Sequence, residues 1–196
     1  METLASTLSR KQLLDLCNGL ALMAAVTALW VFIAEIALDN RDHGAVGGAF
    51  GIIIIYSIIC YVKLNNMARQ QPKGSVDDAV EKSHNKKMYV IMASAAIVSI
   101  GMKLGLMTTR HDNLTVPLFA LIVGLHFLPV GKILNHTFYY VAGIWICLMG
   151  VIGLGLIFQG VSAIWYNPFV GIGCALATAA NAIRIIRLGG ITSLEV

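Results

Sequence analysis

Long apolar runs separated by short polar links dominate the chain. Each run is about 20 residues long, which is the length that an α-helix needs to cross the roughly 30 Å hydrocarbon core of a bilayer. Six such runs follow one another in the 196-residue sequence. They predict helices at about 16–38, 45–62, 76–107, 115–132, 138–158 and 168–186, with residues 88–107 as the membrane part of the third.

Two segments differ from this pattern. Residues 1–15 have leucines at about helical spacing beside Arg10 and Lys11, which predicts an amphipathic helix lying on the membrane surface. Residues 63–87 are polar and rich in lysine, and we expect them to form a basic cytoplasmic loop. The whole of 1–196 is then one transmembrane domain with these two additions.

The distribution of positive charge predicts the orientation. Of the 14 Lys and Arg residues, only Arg41, Lys103 and Arg110 fall near one face of the predicted bundle, which leaves 14 − 3 = 11 on the other. Short loops rich in Lys and Arg stay in the cytoplasm. We therefore expect an all-α integral membrane protein with six transmembrane helices and both termini inside the cell.

Composition supports the membrane class and excludes others. The chain is 58% hydrophobic and 12% charged, whereas a soluble domain is about 25% charged. The net charge is +4. Because most of the Lys and Arg residues lie in the links beside membrane segments, this charge does not indicate a nucleic-acid partner. None of the four cysteines forms a CxxC pair, and neither a metal site nor a cofactor is predicted.

The run 115–132 carries the first candidate for function. His126 lies inside it, and an unperturbed histidine changes charge close to neutral pH, so it could relay a proton. The alternative is a neutral histidine that is hydrogen-bonded between helices. Pro129 follows three residues later and predicts a break in the helix, because proline lacks a backbone donor.

Four further polar residues lie within or at the end of apolar runs. Glu35 and Lys103 fall at similar depth near the predicted outer ends of their helices and could form an ion pair. Alternatively, Lys103 reaches the surface and Glu35 is near water. Asn181 and Arg184 lie toward the inner end of the sixth helix, where they could surround a polar cavity with His126.

Small residues predict the packing faces. Gly171, Cys174, Thr178 and Asn181 form one stripe on the sixth helix, which we expect to face other helices. Glycines four apart, as at Gly101 and Gly105, allow close helix approach and suggest a homo-oligomer as one option.

No hydrolase, metalloprotease or nucleotide-binding motif is found in the sequence, so no catalytic residue is predicted. The first interpretation is passage of a small solute or ion, with proton coupling as an option, between the Glu35/Lys103 and His126/Asn181 regions. The second is a non-transporting module in the lipid bilayer that binds a protein partner through the cytoplasmic loop. The third is an intramembrane enzyme that modifies lipid.

One segment carries a resemblance. GLHFLP at Gly124–Pro129, followed by a short basic link and FYYVAG at 138–143, resembles small uncharacterised bacterial multi-pass membrane proteins. The resemblance covers about a fifth of the chain. It implies a location in the bacterial cytoplasmic membrane, and no activity comes with it.

Overall fold

The computed structural model describes residues 8–39, 41–71, 77–134 and 136–190. These residues form six α-helices, a 3-10 turn at Asp112–Leu114 and no strand. All six helices contain an apolar segment long enough to cross a membrane, so the predicted all-α, six-helix architecture is confirmed. The helices are α1 Arg10–Leu38, α2 Ala45–Gln70, α3 Asp77–Thr109, α4 Thr115–Leu134, α5 Thr137–Phe158 and α6 Ala163–Leu188.

The start of α1 differs from the predicted surface helix over 1–15. Residues 1–7 lie outside the described part of the chain, and Arg10–Asp15 are the first turns of α1 itself. Ser9 caps this helix: its hydroxyl accepts a hydrogen bond from the Gln12 backbone, and the Gln12 side chain accepts one from the Ser9 backbone. Leu13 is completely buried, so the segment is part of the bundle.

The predicted basic loop over 63–87 is mostly helical. Helix α2 continues to Gln70 and α3 begins at Asp77, which leaves only 71–76 between them. At 1.5 Å per residue, the 33 residues of α3 extend for about 50 Å. Hydropathy marks where the apolar part of a helix ends, whereas lysine, glutamine and methionine beyond that point still favour helix.

Helix α6 occupies the centre of the bundle. It packs against α1, α2, α4 and α5, and all four residues of its predicted stripe are buried, which confirms that stripe as a packing face. A Cβ added to Gly171 would lie 3.1 Å from the Cβ of Ala34 on α1. The absence of side chains at such positions lets helix backbones approach closely.

Helices α4 and α5 form a second close pair. Gly143 on α5 faces Gly124 on α4, and a Cβ added to Gly143 would lie 2.8 Å from the Gly124 carbonyl oxygen. Further along, Gly150 lies against the carbonyl of Pro117 in the same way. These contacts join α4 firmly to the central helices through α5.

Helix α3 is peripheral. It packs mainly against α4 and the short 3-10 turn. None of its described side chains from Tyr89 to Thr109 is buried, and a Cβ added to Gly101 or Gly105 would meet no atom within 4 Å. The expected homo-oligomer stays a prediction, since the structure contains a single chain.

Three links meet at one end of the bundle, which the charge distribution predicts to be the outer end. Arg41, between α1 and α2, donates a 3.0 Å hydrogen bond to the carbonyl of Ile164 on α6. The Tyr166 hydroxyl on α6 donates a 2.8 Å hydrogen bond to the carbonyl of Asn113, in the link before α4. Glu35 and Lys103 both lie near this end.

Candidate functional site

A groove runs between α1, α3 and α4. It consists of two neighbouring cavities of about 310 and about 360 Å³, each near the lower end of the roughly 300–1,000 Å³ range of ligand pockets. Because the cavities share four lining residues, we treat them as one site and call it the lateral groove. The shared residues are Leu29, Ser99, Ile100 and Phe119.

The walls of the lateral groove are almost entirely apolar, and they follow from helical periodicity. Helix α1 contributes Leu22, Val26, Leu29 and Ile33, which recur every three or four residues and therefore lie on one face. Helix α4 contributes side chains from Thr115 to Val130, a distance of about 22 Å at 1.5 Å per residue. The groove is thus elongated along the helices.

The open character of the groove follows from the position of α3. The facing side chains on α3 include Ala95 and Ala96, which are small and leave space between this helix and α1. Since α3 lies at the edge of the bundle, the groove is a lateral feature and not a central pore.

His126 lies in the half of the groove toward the predicted inner end. Its Nδ1 is 2.7 Å from the Ile122 carbonyl oxygen; since a carbonyl only accepts, Nδ1 carries the proton. Its Nε2 lies 3.4 Å from the Ser94 hydroxyl oxygen. That hydroxyl also donates to the Ile91 carbonyl at 2.8 Å, and its one proton favours the shorter bond. Nε2 is therefore a weakly satisfied acceptor beside an apolar groove.

Lys103 lies at the opposite end of the groove and is not paired with Glu35. Its Nζ is 3.7 Å from an Asp112 carboxylate oxygen, and both side chains are at least half exposed. The Thr115 hydroxyl oxygen is buried and has no hydrogen-bond partner among the described residues. Lys103 and Thr115 both line this part of the groove, so one charge and one unsatisfied hydroxyl belong to the same cavity.

Glu35 has a different role from the predicted ion pair. Its carboxylate accepts a hydrogen bond from the backbone N–H of Gly47, in the first turn of α2. Asp42 accepts from Val46 at 2.9 Å and from Gly44 at 3.3 Å in the same turn. The first N–H groups of a helix lack intrahelical partners and favour negative charge, so Glu35 joins α1 to the beginning of α2 and Asp42 caps that beginning.

Asn181 belongs to the packed interface between α1 and α6. It is buried, and its amide nitrogen lies 3.1 Å from the Met23 sulfur. One turn away, the hydroxyl oxygens of Thr27 and Thr178 lie 2.8 Å apart, and each is also within hydrogen-bond distance of a backbone carbonyl of its own helix. Because each hydroxyl has one proton, one proton joins the two hydroxyls and the other goes to a carbonyl. The structure does not bring Asn181 and His126 into one described cavity, because Asn181 is not among the groove residues.

Arg184 and Pro129 also differ from their predicted roles. Arg184 is exposed, and its guanidinium lies 4.3 Å from the ring centre of Phe138, a cation–π contact at the end of the bundle. Pro129 does not break α4, which continues to Leu134. A proline removes a single backbone donor, and the glycine contacts with α5 hold this helix on both sides of it.

Ser94 and Thr115 were missed by sequence reasoning. Single hydroxyl side chains in a helix often bond to the carbonyl three or four residues earlier, so no pattern distinguishes these two. Their significance comes from α3 and α4 lying side by side. Among the described residues, no group of three His, Cys, Asp or Glu side chains is placed to hold a metal ion.

Comparison of the chain with protein-family models, with curated protein sequences and with solved structures found no match. The six apolar helices define the class: an all-α, multi-pass membrane protein.

Proposed function

We propose that this protein binds a lipid-like amphiphile in the lateral groove and passes it between the two halves of the bilayer. The observation that carries the proposal is an elongated apolar groove that Lys103 and Thr115 line toward one end and His126 toward the other. Ser94 lies beside His126 outside the lining. The chain of an amphiphile fits the apolar wall. Its polar head has a place to stop at either end.

This proposal is a more specific form of the function that the sequence predicts first, passage of a small solute or ion. A path for an ion needs polar groups along its whole length, since an uncompensated charge in an apolar region is costly. Glu35 and Asn181, two of the predicted path residues, are engaged in holding helices together. An amphiphile meets this cost only while its head moves from one end of the groove to the other, because its chain lies along the apolar walls and its head otherwise rests at a polar end.

The proposal requires α3 to move, and the peripheral position of this helix supports that requirement. Helix α3 packs mainly on α4, and its membrane segment contributes no buried described side chain. Displacing it exposes little additional apolar surface compared with displacing α6. The groove can therefore open toward the bilayer while the central helices stay packed.

The proposal also includes location and orientation. It places the protein in the bacterial cytoplasmic membrane with both termini in the cytoplasm. The uneven distribution of Lys and Arg supports the orientation, and the GLHFLP resemblance supports the location. The segment 63–87, through which the alternative function would bind a protein partner, includes residues 72–76, which lie outside the described residues.

A lipid-movement assay tests the proposal. Purified protein in liposomes would be given a fluorescent single-chain phospholipid, and its appearance in the opposite leaflet would be measured with a membrane-impermeant quencher. Ala95→Phe places a large ring in the groove. Ala93→Phe is the matched control, since it makes the same change at an exposed position of α3 that does not line the groove.

We expect wild type and Ala93→Phe to speed up lipid movement and Ala95→Phe to reduce it toward the rate of empty liposomes. Equal rates in Ala95→Phe and Ala93→Phe would contradict the proposal, as would wild-type rates equal to those of empty liposomes. Circular dichroism and thermal unfolding would establish that both variants are folded.

A further inference from the structure

We infer that the groove selects a single-chain amphiphile with an anionic head, and that Lys103 and Thr115 bind this head. The inference rests on the proposed function and adds the chemical class of the ligand. It starts from the end of the groove at which α3 meets the beginning of α4.

Lys103 has capacity for a ligand. An ammonium group has three N–H donors, and its anionic neighbour in the structure, Asp112, lies at a longer distance than a hydrogen bond, 3.7 Å. Both side chains are at least half exposed, so solvent weakens their attraction. A carboxylate or phosphate anchored by its own chain in the groove can compete with Asp112 for the ammonium.

Thr115 adds the second contact. Its hydroxyl is buried and unpartnered among the described residues, although the side chain lines the same cavity as Lys103. An unsatisfied buried hydroxyl is unfavourable, and the oxygen of an anionic head would accept its proton. Thr115 also begins α4, and the positive end of a helix favours a nearby anion.

The shape of the groove indicates how many hydrocarbon chains the ligand has. Its two overlapping parts have volumes of about 310 and about 360 Å³ and lie one after the other along α4. This arrangement suits one extended chain in preference to two chains side by side. A fatty acid is the simplest molecule that combines one chain with an anionic head.

Equilibrium binding would test the inference with two probes of equal chain length, palmitic acid and the uncharged alcohol hexadecanol. The protein would be held in nanodiscs of zwitterionic lipid, at a pH where the acid is ionised. We expect wild type to bind the acid about tenfold more tightly than the alcohol, as a charge-assisted contact at a half-exposed site would give.

Four variants separate the contributions. Lys103→Gln should remove the preference for the acid, whereas Lys103→Arg should keep it. Asp112→Asn should tighten binding of the acid and leave the alcohol unchanged, because it removes the competing carboxylate. Thr115→Val should weaken binding of the acid by a few-fold without affecting the alcohol.

The outcomes distinguish this inference from the proposed function. If both probes bind equally well and Ala95→Phe prevents both, the groove binds chains but the anion preference is wrong. If Lys103→Gln keeps the wild-type preference, Lys103 does not bind the head. If neither probe binds wild type, or Ala95→Phe binds as wild type does, the proposed function fails as well.

Discussion

Helices α6 and α3 are both long, and both carry residues with small side chains, yet only α6 is buried. In α6, 61% of an 18-residue apolar window is buried, compared with none of the corresponding window in α3. Gly171 on α6 lies directly against Ala34, whereas Gly101 on α3 faces no atom within 4 Å. The same residue type therefore serves close packing in one helix and leaves an open surface in the other.

The polar side chains of the two regions differ in the same way. Between α1 and α6, one of the Thr27 and Thr178 hydroxyls donates to the other, and the second donates to a backbone carbonyl. Beside α3, Thr115 has no described partner, and His126 has one good bond and one long contact. Satisfied polar groups stabilise a bundle, whereas unsatisfied ones beside a cavity are available to a ligand.

The largest expected difference comes from adding one methyl group to the packed α4–α5 interface and one to the open face of α3. Gly143→Ala would place a Cβ 2.8 Å from the Gly124 carbonyl oxygen and 2.9 Å from the Phe127 Cβ. Because a helix backbone cannot move aside as a flexible side chain can, we expect a loss of about 2–3 kcal/mol in the free energy of unfolding. Equilibrium unfolding in mixed micelles would measure it.

Gly101→Ala is the matched control on α3. A Cβ there meets nothing within 4 Å, and alanine favours helix over glycine by up to about 1 kcal/mol. Its stability should equal or slightly exceed that of wild type. A loss at Gly101 as large as that at Gly143 would mean that α3 is packed in the membrane, against either the bundle or a second copy.

A smaller difference is expected when a hydroxyl is removed from each region. Thr178→Val deletes the hydrogen bond to Thr27 in the buried interface, and interhelical bonds of this kind contribute about 0.6 kcal/mol on average, with a maximum near 1.7. We expect a loss of about 1 kcal/mol, measured by the same unfolding assay.

Thr108→Val makes the same substitution on α3. The Thr108 hydroxyl is exposed and bonds to the Gly105 carbonyl of its own helix, so stability should change by less than about 0.5 kcal/mol. If the two threonine variants lose the same stability, hydrogen bonds in the buried α1–α6 interface contribute no more than those on the peripheral helix α3, and the contrast between the two regions is wrong in this respect.

Sequence reasoning predicted the parts of the structure that depend on periodicity and hydropathy. The six helices and the buried stripe on α6 follow from the spacing of apolar and small residues. The ends of the helices are harder to predict from the sequence. Helix α2, for example, continues eight residues beyond Val62 to Gln70, because polar residues outside the membrane can still form helix. The position of a residue along its predicted helix also gives its depth in the membrane. Glu35 and Lys103 have similar predicted depths and opposite charges, which is why the sequence predicts an ion pair between them.

The candidate site could not be predicted from depth alone. Depth does not tell which helices are neighbours: α1 carries Glu35 against α2, while α3 turns Lys103 toward Asp112 and α4. His126 was identified as a candidate, but its neighbour Ser94 became visible only once α3 was placed beside α4. The lateral groove is a property of the helix arrangement, since its walls are ordinary apolar residues.

The smallest expected effect concerns Asp42, in the link that joins the packed helices α1 and α2. The hydrogen bond from the Val46 backbone, more than that from Gly44, lowers the pKa of Asp42 below its usual value of 3.8. A carboxyl whose pKa is lower in the folded state stabilises the protein above its unfolded-state pKa, and this contribution disappears as the pH falls through the folded-state value. Wild type should therefore lose stability between about pH 5.5 and about pH 3 by more than Asp42→Asn does, because the variant lacks that carboxylate. Thermal unfolding at both pH values measures the difference, and an equal loss in the two proteins would show that Asp42 does not hold the beginning of α2.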